Sequence, residues 1–137
     1  MSAEENVAIV EDAYRAWGER GIEGLLSVMH PEIEWYTPPQ APEPGPHRGR
    51  EAILRVVGLY MESFDLFQPV PERILPAAAP DQVVVLATLT TRGRGSGAEV
   101  SMPVGHLLTI REGKVARFEV FTERSEALGA GGLDPAG

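Results

Sequence analysis

The segment VSMPVGHLLTIREGKVARFEVFTE, residues 100–123, contains the side chains best suited to proton chemistry. Glu112 and Gly113 separate two runs rich in apolar residues, which predicts a β-hairpin with a two-residue turn. In that register His106 lies directly opposite Glu119. A histidine beside a carboxylate can both hold and transfer a proton. We therefore expect His106 and Glu119 to form an acid/base pair.

The neighbours of His106 predict that this surface is buried. Strand alternation places one row of side chains on its face, and that row comprises Val100, Met102, Val104, His106, Leu108 and Ile110. Across the hairpin we expect Phe121 opposite Val104, with Glu123 further along as a second carboxylate. Ionisable groups on a buried surface need partners. The same pairing also fits a purely structural contact, and a slip of one residue would turn each side chain to the other face.

Aromatic residues near the amino terminus are further candidates. Tyr14 shares the apolar face of a predicted helix with Val10 and Trp17, so its ring points inward and its hydroxyl needs a hydrogen-bond partner or a ligand. Trp35 and Thr37 lie on one face of a short predicted strand and suit ligand packing. Core packing of the tyrosine, and rim packing of the other two, would need the same residues.

Two further histidines, His30 and His47, each adjoin a proline. Their turn-like contexts predict that both lie at the surface. Neither has the spacing of a metal-binding pair, and no set of three ligands can be assembled from the sequence. We expect no metal and no other cofactor.

Periodicity and turn residues predict three helices followed by strands. Ser2 and Glu5 form a capping box before a first helix that ends near residues 18–21. A second helix lies near residues 22–29, and a third follows Gly49 and ends near residues 61–64. The predicted strands are residues 32–36, 70–75, 82–92, 99–110 and 114–123. The Gly-rich end predicts a flexible tail at 129–137 after a single domain at 1–128.

This order of elements predicts an α+β fold, in which helices cover the concave face of a curved antiparallel sheet. Such a cone leaves a cavity for a small apolar ligand. One predicted strand is apolar on both of its faces, as shown by Val83, Val85, Leu86 and Leu89. A single core does not require two apolar faces, so we expect a homodimer through the outer face of the sheet.

Composition argues against several classes of function. The chain has 137 residues, enough for one domain with a sizeable core, and it carries a net charge of −8. Its basic residues are scattered, which argues against nucleic acid or an anionic membrane as a partner. The sequence contains no cysteine, so thiolate metal sites and a cysteine nucleophile are excluded. The acidic first residues lack the pattern of an export signal, and we expect a cytoplasmic protein.

Several motifs resemble the NTF2-like superfamily, and within it the SnoaL-like polyketide cyclases and the relatives of ketosteroid isomerase. They are VEDAYRAW at 10–17, PHRGREAI at 46–53, GHLLTIREGKV at 105–115 and FTERSEALGAGGL at 121–133. The resemblance implies a cone of sheet and helices, often dimeric, with a pocket for a hydrophobic small molecule. It also implies that the proline-rich segment 37–46 forms a stiff rim at the mouth of the pocket.

The resemblance implies roles for individual residues. Tyr14 falls where ketosteroid isomerases place a tyrosine that binds the oxyanion, and His106 falls near their second oxyanion donor. Thr37 occupies the place of their catalytic aspartate, so that mechanism is not expected here. SnoaL-like cyclases are similar in using acid/base residues on the late strands, where His106, Glu119 and Glu123 lie.

Together, the residues and the resemblance predict a cofactor-free acid/base enzyme that acts on a small hydrophobic carbonyl compound. Its catalytic residues would be His106, Glu119, Tyr14 and Glu123. The expected substrate-binding residues are Trp17, Trp35, Thr37, Val104, Leu108 and Phe121. The alternative is a module that uses the same cone to bind a small molecule without turning it over.

Overall fold

The computed structural model describes residues 2–38 and 45–135. Most of the proline-rich segment, residues 39–44, lies outside the described residues, and its predicted place at the mouth of a pocket stays a prediction.

The described residues form four helices, of which the first has a side-chain cap. They are α1 (Ala3–Arg20), α2 (Ile22–Ser27), α3 (Arg50–Ser63) and α4 (Arg124–Ala130). The predicted capping box is confirmed, because the backbone N–H of Glu5 donates to the hydroxyl of Ser2 at 3.1 Å and the N–H of Ser2 donates to Glu5 at 3.3 Å. Gly21, at a φ of 66°, ends α1 in a conformation that favours glycine.

The described residues contain six strands, which form one curved, open sheet. They are β1 (Met29–Tyr36), β2 (His47–Arg48), β3 (Phe64–Pro76), β4 (Gln82–Gly93), β5 (Glu99–Arg111) and β6 (Lys114–Phe121). Their order is β2-β1-β6-β5-β4-β3, and the β1/β6 pair alone is parallel. The predicted α+β fold, with helices on a curved and mainly antiparallel sheet, is confirmed.

The edge strand β3 is longer than the predicted strand 70–75. Prolines at positions 69, 71 and 76 obscured it, because proline within a run argues against a central strand but is tolerated at an edge. The register also shifts between Pro71 and Arg73, where the strand contains a bulge.

The main core lies between the helices and the concave face of the sheet. Its buried residues include Val10, Tyr14 and Trp17 from α1, Leu25 from α2, Ile53 from α3, and Ile33, Trp35, Val83, Val85, Val104, Leu108, Val115 and Phe118 from the strands. Alternation along β5 directs the row from Val104 to Ile110 into this core. Val100 and Met102, predicted in the same buried row, are exposed instead.

The outer face of the sheet has its own, smaller core beneath α4. Val84, Leu86 and Leu107 pack there against Ala127 and Leu128. The helix approaches so closely that a Cβ on the glycine at position 105 would lie 2.4 Å from the Cβ of alanine 127. Because α4 covers this part of β4 within the chain, an apolar outer face no longer requires a partner, and the homodimer stays a prediction.

The segment after α4 packs onto the sheet over part of its length. The backbone N–H of Ala78 donates to the carbonyl of Gly131 at 2.8 Å, and the N–H of Leu133 donates to Leu128 at 2.9 Å. The first residues of the predicted flexible tail are therefore held in place by backbone hydrogen bonds. Composition did not reveal this, because one anchoring partner, Ala78, lies far from Gly131 in the chain.

Candidate functional site

The β5–β6 hairpin has the predicted turn but not the predicted register. Glu112 and Gly113 both have positive φ, 55° and 77°, as a two-residue turn of this kind requires. Next to the turn, Arg111 pairs with Lys114 and Ile110 with Val115, as expected.

A bulge then moves the remaining pairs by one residue. Thr109 pairs with Arg117, which leaves Ala116 as the extra residue in β6. Beyond the bulge, His106 lies opposite Val120, and Glu119 lies opposite Leu107. The predicted pairing of His106 with Glu119 is therefore wrong, because one inserted residue turns the rest of β6 to the other face.

Neither candidate carboxylate lies beside His106. Glu119 is on the outer face, where its side chain contacts the Arg117 guanidinium at 3.4 Å. Glu123 is exposed and immediately precedes α4. Phe121, expected opposite Val104 on the inner face, instead lies opposite glycine 105 and packs with the outer core.

Tyr14 takes the place beside His106 that Glu119 was expected to fill. The Tyr14 hydroxyl forms a short hydrogen bond with Nδ1 of His106. The two rings are also nearly parallel, with centroids 5.9 Å apart and an interplanar angle of 12°. Tyr14 is only 6% exposed and His106 only 4%. Helix α1 and strand β5 thus bring together two candidates separated by most of the chain.

Aromatic rings enclose this pair. The ring centroid of Phe118 lies 4.7 Å from that of His106 and 4.6 Å from that of Trp35, on which it stacks. The ring centroid of Trp17 lies 6.2 Å from that of Tyr14 and 6.1 Å from that of Trp35. Val104 and Leu108 are buried in the same core, as expected. Phe118 was missed, because the assumed register directed it outward.

Burial determines the protonation state of both partners. It lowers the pKa of His106 to about 3 and raises the pKa of Tyr14 well above its usual value, since desolvation disfavours the charged form of each group. Both groups are therefore neutral near neutral pH. We assign the phenol as donor to an unprotonated Nδ1, with the ring proton of His106 on Nε2.

A cleft of about 670 Å³ adjoins Tyr14 on the side of α1. It lies between α1 and β3, and its lining includes Val7, Glu11 and Tyr14 from the helix and residues 68–72 and 74 from the strand. Tyr14 thus borders the cleft and also contacts His106.

The other two histidines are not at the surface, contrary to the prediction. His30 is 9% exposed and accepts a hydrogen bond from the backbone N–H of Glu32 at 3.0 Å. His47 is 7% exposed and lies directly opposite Trp35 in the β1/β2 pair. Both histidines lie within strands rather than in exposed turns, which the local sequence did not show. Thr37 is partly buried just after β1.

The fold and this site define an NTF2-like protein. The profile of the SnoaL-like domain matches residues 10–118, and the chain belongs to that family. The resemblance predicted from the four motifs is thereby confirmed. No curated protein sequence matches the chain.

Solved structures of similar shape support this assignment. An NTF2-like protein from Burkholderia xenovorans is 28% identical, with a TM-score of 0.70 and coverage of 96% of this chain and 98% of that one. TerC, co-crystallised with polyporic acid, is 26% identical, with a TM-score of 0.75 and coverage of 86% and 91%. A candidate SnoaL-like polyketide cyclase from Jannaschia sp. CCS1 is 23% identical, with a TM-score of 0.70 and coverage of 93% and 91%.

Within residues 2–38 and 45–135, none of the helices is both long enough and apolar enough to cross a bilayer.

Proposed function

We propose that the protein is a cofactor-free acid/base enzyme that acts on a small hydrophobic carbonyl compound, with Tyr14 and His106 as its catalytic residues. The observation that carries this proposal is the buried hydrogen bond between the two neutral side chains, next to an open cleft. The family binds small molecules, and TerC, at 26% identity, was co-crystallised with polyporic acid.

The pair can move a proton without a carboxylate. In the proposed step, the oxygen of Tyr14 takes a proton from the carbon beside the ligand carbonyl, while the phenolic proton passes to Nδ1 of His106. The products are an enolate and an imidazolium, so the charges balance. Return of the proton to another atom of the ligand completes an isomerisation or a cyclisation. A base that activates a second side chain in this way is a common arrangement in enzymes.

The low pKa of His106 applies to the site without a ligand. An enolate formed beside the pair places a negative charge within a few ångströms, and an opposite charge at that distance raises the pKa of a histidine. The aromatic rings exclude water, which strengthens this attraction. The proton transfer is therefore favoured only when the ligand develops charge.

Glu119 and Glu123 have no part in this step. They were proposed as proton carriers on the basis of the assumed register, and the position of both outside the concave face removes that support. Glu119 serves instead as a matched control, since it is ionisable and lies on the same hairpin as His106.

A binding module without turnover is the second candidate. Among residues 2–38 and 45–135, the buried polar side chains are Asn6, His30, His47, Thr91 and His106, and none of these is a carboxylate. Without a buried carboxylate, the general base would have to be His106. Its pKa of about 3 is far below the value best suited to general base catalysis.

Exchange of hydrogen for deuterium separates the two candidates without knowledge of the natural substrate. Acetylnaphthalene is incubated in deuterium oxide with the protein, and loss of its methyl protons is followed by NMR. Binding is followed separately by fluorescence, because both of the chain's 2 tryptophans lie in the aromatic enclosure.

The enzyme hypothesis predicts accelerated exchange with the wild type. His106→Gln and Tyr14→Phe should each lower the rate by about 10²- to 10⁴-fold, whereas Glu119→Gln should leave it unchanged. Binding without exchange would favour the module. Loss of exchange in Glu119→Gln alone would contradict the assignment of His106 as the proton acceptor.

A further inference from the structure

We infer that the ligand reaches Tyr14 through the cleft between α1 and β3, and that Gly18 and Gln68 determine which ligands fit. This inference rests on the proposed function, because it concerns access to the same tyrosine. It adds the shape and polarity of the ligand, which the proposed chemistry leaves open.

The cleft follows one face of α1. Val7, Glu11, Tyr14 and Gly18 line it from the helix, and steps of three or four residues place side chains on a single face. Eleven residues separate the first and the last, which corresponds to about 16 Å along a helix. An elongated ligand that lies along α1 fits this shape.

Gly18 lies close to the opposite wall of the cleft. A Cβ at this position would lie 2.9 Å from Nε2 of Gln68, the one atom within 4 Å among the described residues outside the helix backbone and the chain neighbours of Gly18. Glycine inside a helix lowers stability relative to alanine. At position 18 the glycine therefore leaves the cleft open at a cost to the stability of α1. A side chain larger than hydrogen would force the carboxamide of Gln68 to move or would fill the cleft.

The wall opposite the helix favours a small molecule over a peptide. Pro69 and Pro71 lie in the edge strand β3 and line the cleft. Proline has no backbone N–H, so this stretch lacks donors that an added strand would need. Recognition of a polar group must come from side chains, and the Gln68 carboxamide supplies both a donor and an acceptor.

Position along the helix determines where the polar groups of the ligand lie. Tyr14 and Gly18 are one turn apart, about 6 Å along the axis, and Gln68 lies across from Gly18. Glu11 and Glu19 line the rim beside Arg15, and Glu72 is paired with Arg124. The two remaining acids disfavour an anionic ligand, so we expect an elongated, apolar carbonyl compound without negative charge and with a second hydrogen-bonding group roughly one helical turn from its carbonyl.

A matched pair of glycines tests the access route. Gly58 lies in α3 and is exposed like Gly18, and apart from its chain neighbours and the helix backbone no atom of the described residues lies within 4 Å of the place that a Cβ would take. Gly18→Leu should weaken the affinity for acetylnaphthalene at least tenfold, as measured by quenching of tryptophan fluorescence. The reason is that one leucine fills space comparable to a ring of the probe. Gly58→Leu should leave the affinity unchanged. Circular dichroism verifies that both variants are folded, and Gly18→Ala provides a milder narrowing that increases helix propensity.

Gln68→Ala tests the polar contact separately. The affinity for acetylnaphthalene should stay the same, whereas the affinity for acetylnaphthalene with a hydroxyl on its second ring should fall about five- to tenfold, as expected for one lost hydrogen bond. This comparison uses one variant with two probes, so a general effect on folding would change both affinities.

The results of these experiments distinguish failure of the access route from failure of the proposed function. Equal affinity of wild type and Gly18→Leu, or equal loss for both probes in Gln68→Ala, overturns the access route while the chemistry of Tyr14 and His106 stands. Failure of the wild type to bind either probe overturns both. Loss of affinity in Gly18→Leu, with Gly58→Leu unchanged, supports the route.

Discussion

Burial of His106 should make the stability of the protein depend on pH in a way that can be isolated. The pKa of His106 is about 3 in the folded chain, whereas a histidine in an unfolded chain has a pKa of about 6.5. Between these values the unfolded chain binds a proton that the folded chain does not. The free energy of unfolding is therefore highest above about pH 6.5 and falls as the pH falls toward 3.

The size of the effect follows from the two pKa values. At about pH 5 an unfolded histidine is almost fully protonated, and the proton that it binds lowers the free energy of unfolding by about 2 kcal/mol relative to about pH 8. Most carboxylates are still ionised at that pH, since their pKa lies near about 4. The window between these two pH values therefore separates the histidine from ordinary acid denaturation.

Urea unfolding of three proteins at both pH values provides the assay. The difference in the free energy of unfolding between the wild type and His106→Gln should change by about 2 kcal/mol between the two pH values. Tyr14→Phe should keep the pH dependence of the wild type, because burial rather than the tyrosine lowers the pKa of His106. His30 and His47 are present in all three proteins and cancel. A difference independent of pH would refute the reasoning, since it would mean that His106 titrates equally in the folded and unfolded chains.

Three further predictions concern the scaffold. Gly105→Val should lower stability by about 1–3 kcal/mol in a urea titration, because the new side chain would overlap Ala127 in α4; unchanged stability would mean that α4 does not pack there. Ser2→Ala should cost about 1 kcal/mol through the lost cap of α1, whereas Ala3→Ser, outside the cap, should cost less. The resemblance to NTF2-like proteins, rather than the covered outer face, still predicts a homodimer in light scattering at micromolar concentration, and a monomer would contradict that expectation.

Periodicity predicted the elements that hold the site. Tyr14 and Trp17 fall on the apolar stripe of α1, and strand alternation correctly placed the side chain of His106, on β5, in the core of the protein. Both patterns depend on residues that are close together in sequence. The cap at Ser2 and the turn at Glu112 were readable for the same reason, because each depends on local backbone geometry.

The partner of His106 could not be predicted in this way. The bulge at Ala116 has no marker such as glycine or proline in β6, yet it reverses the direction of every later side chain in that strand. The contact between Tyr14 and His106 joins elements 92 residues apart, so no local pattern specifies it. The same limit applies to α4, whose apolar residues gain a partner only when β4 and β5 have formed the outer face.

The state of the His106 ring with and without a ligand tests the central proposal most directly. Nitrogen NMR of protein that contains isotope-labelled histidine distinguishes Nδ1 from Nε2 and a neutral ring from a charged one. We expect a neutral His106 with Nδ1 as hydrogen-bond acceptor in the free protein and with the uncharged acetylnaphthalene bound, and a shift of the Nδ1 signal toward the protonated form when naphtholate, an anionic analogue of the enolate, binds, with His30 unchanged. A charged His106 in the free protein near neutral pH, or bound naphtholate that leaves Nδ1 unchanged, would contradict the assignment of Tyr14 and His106 as the pair that transfers the proton.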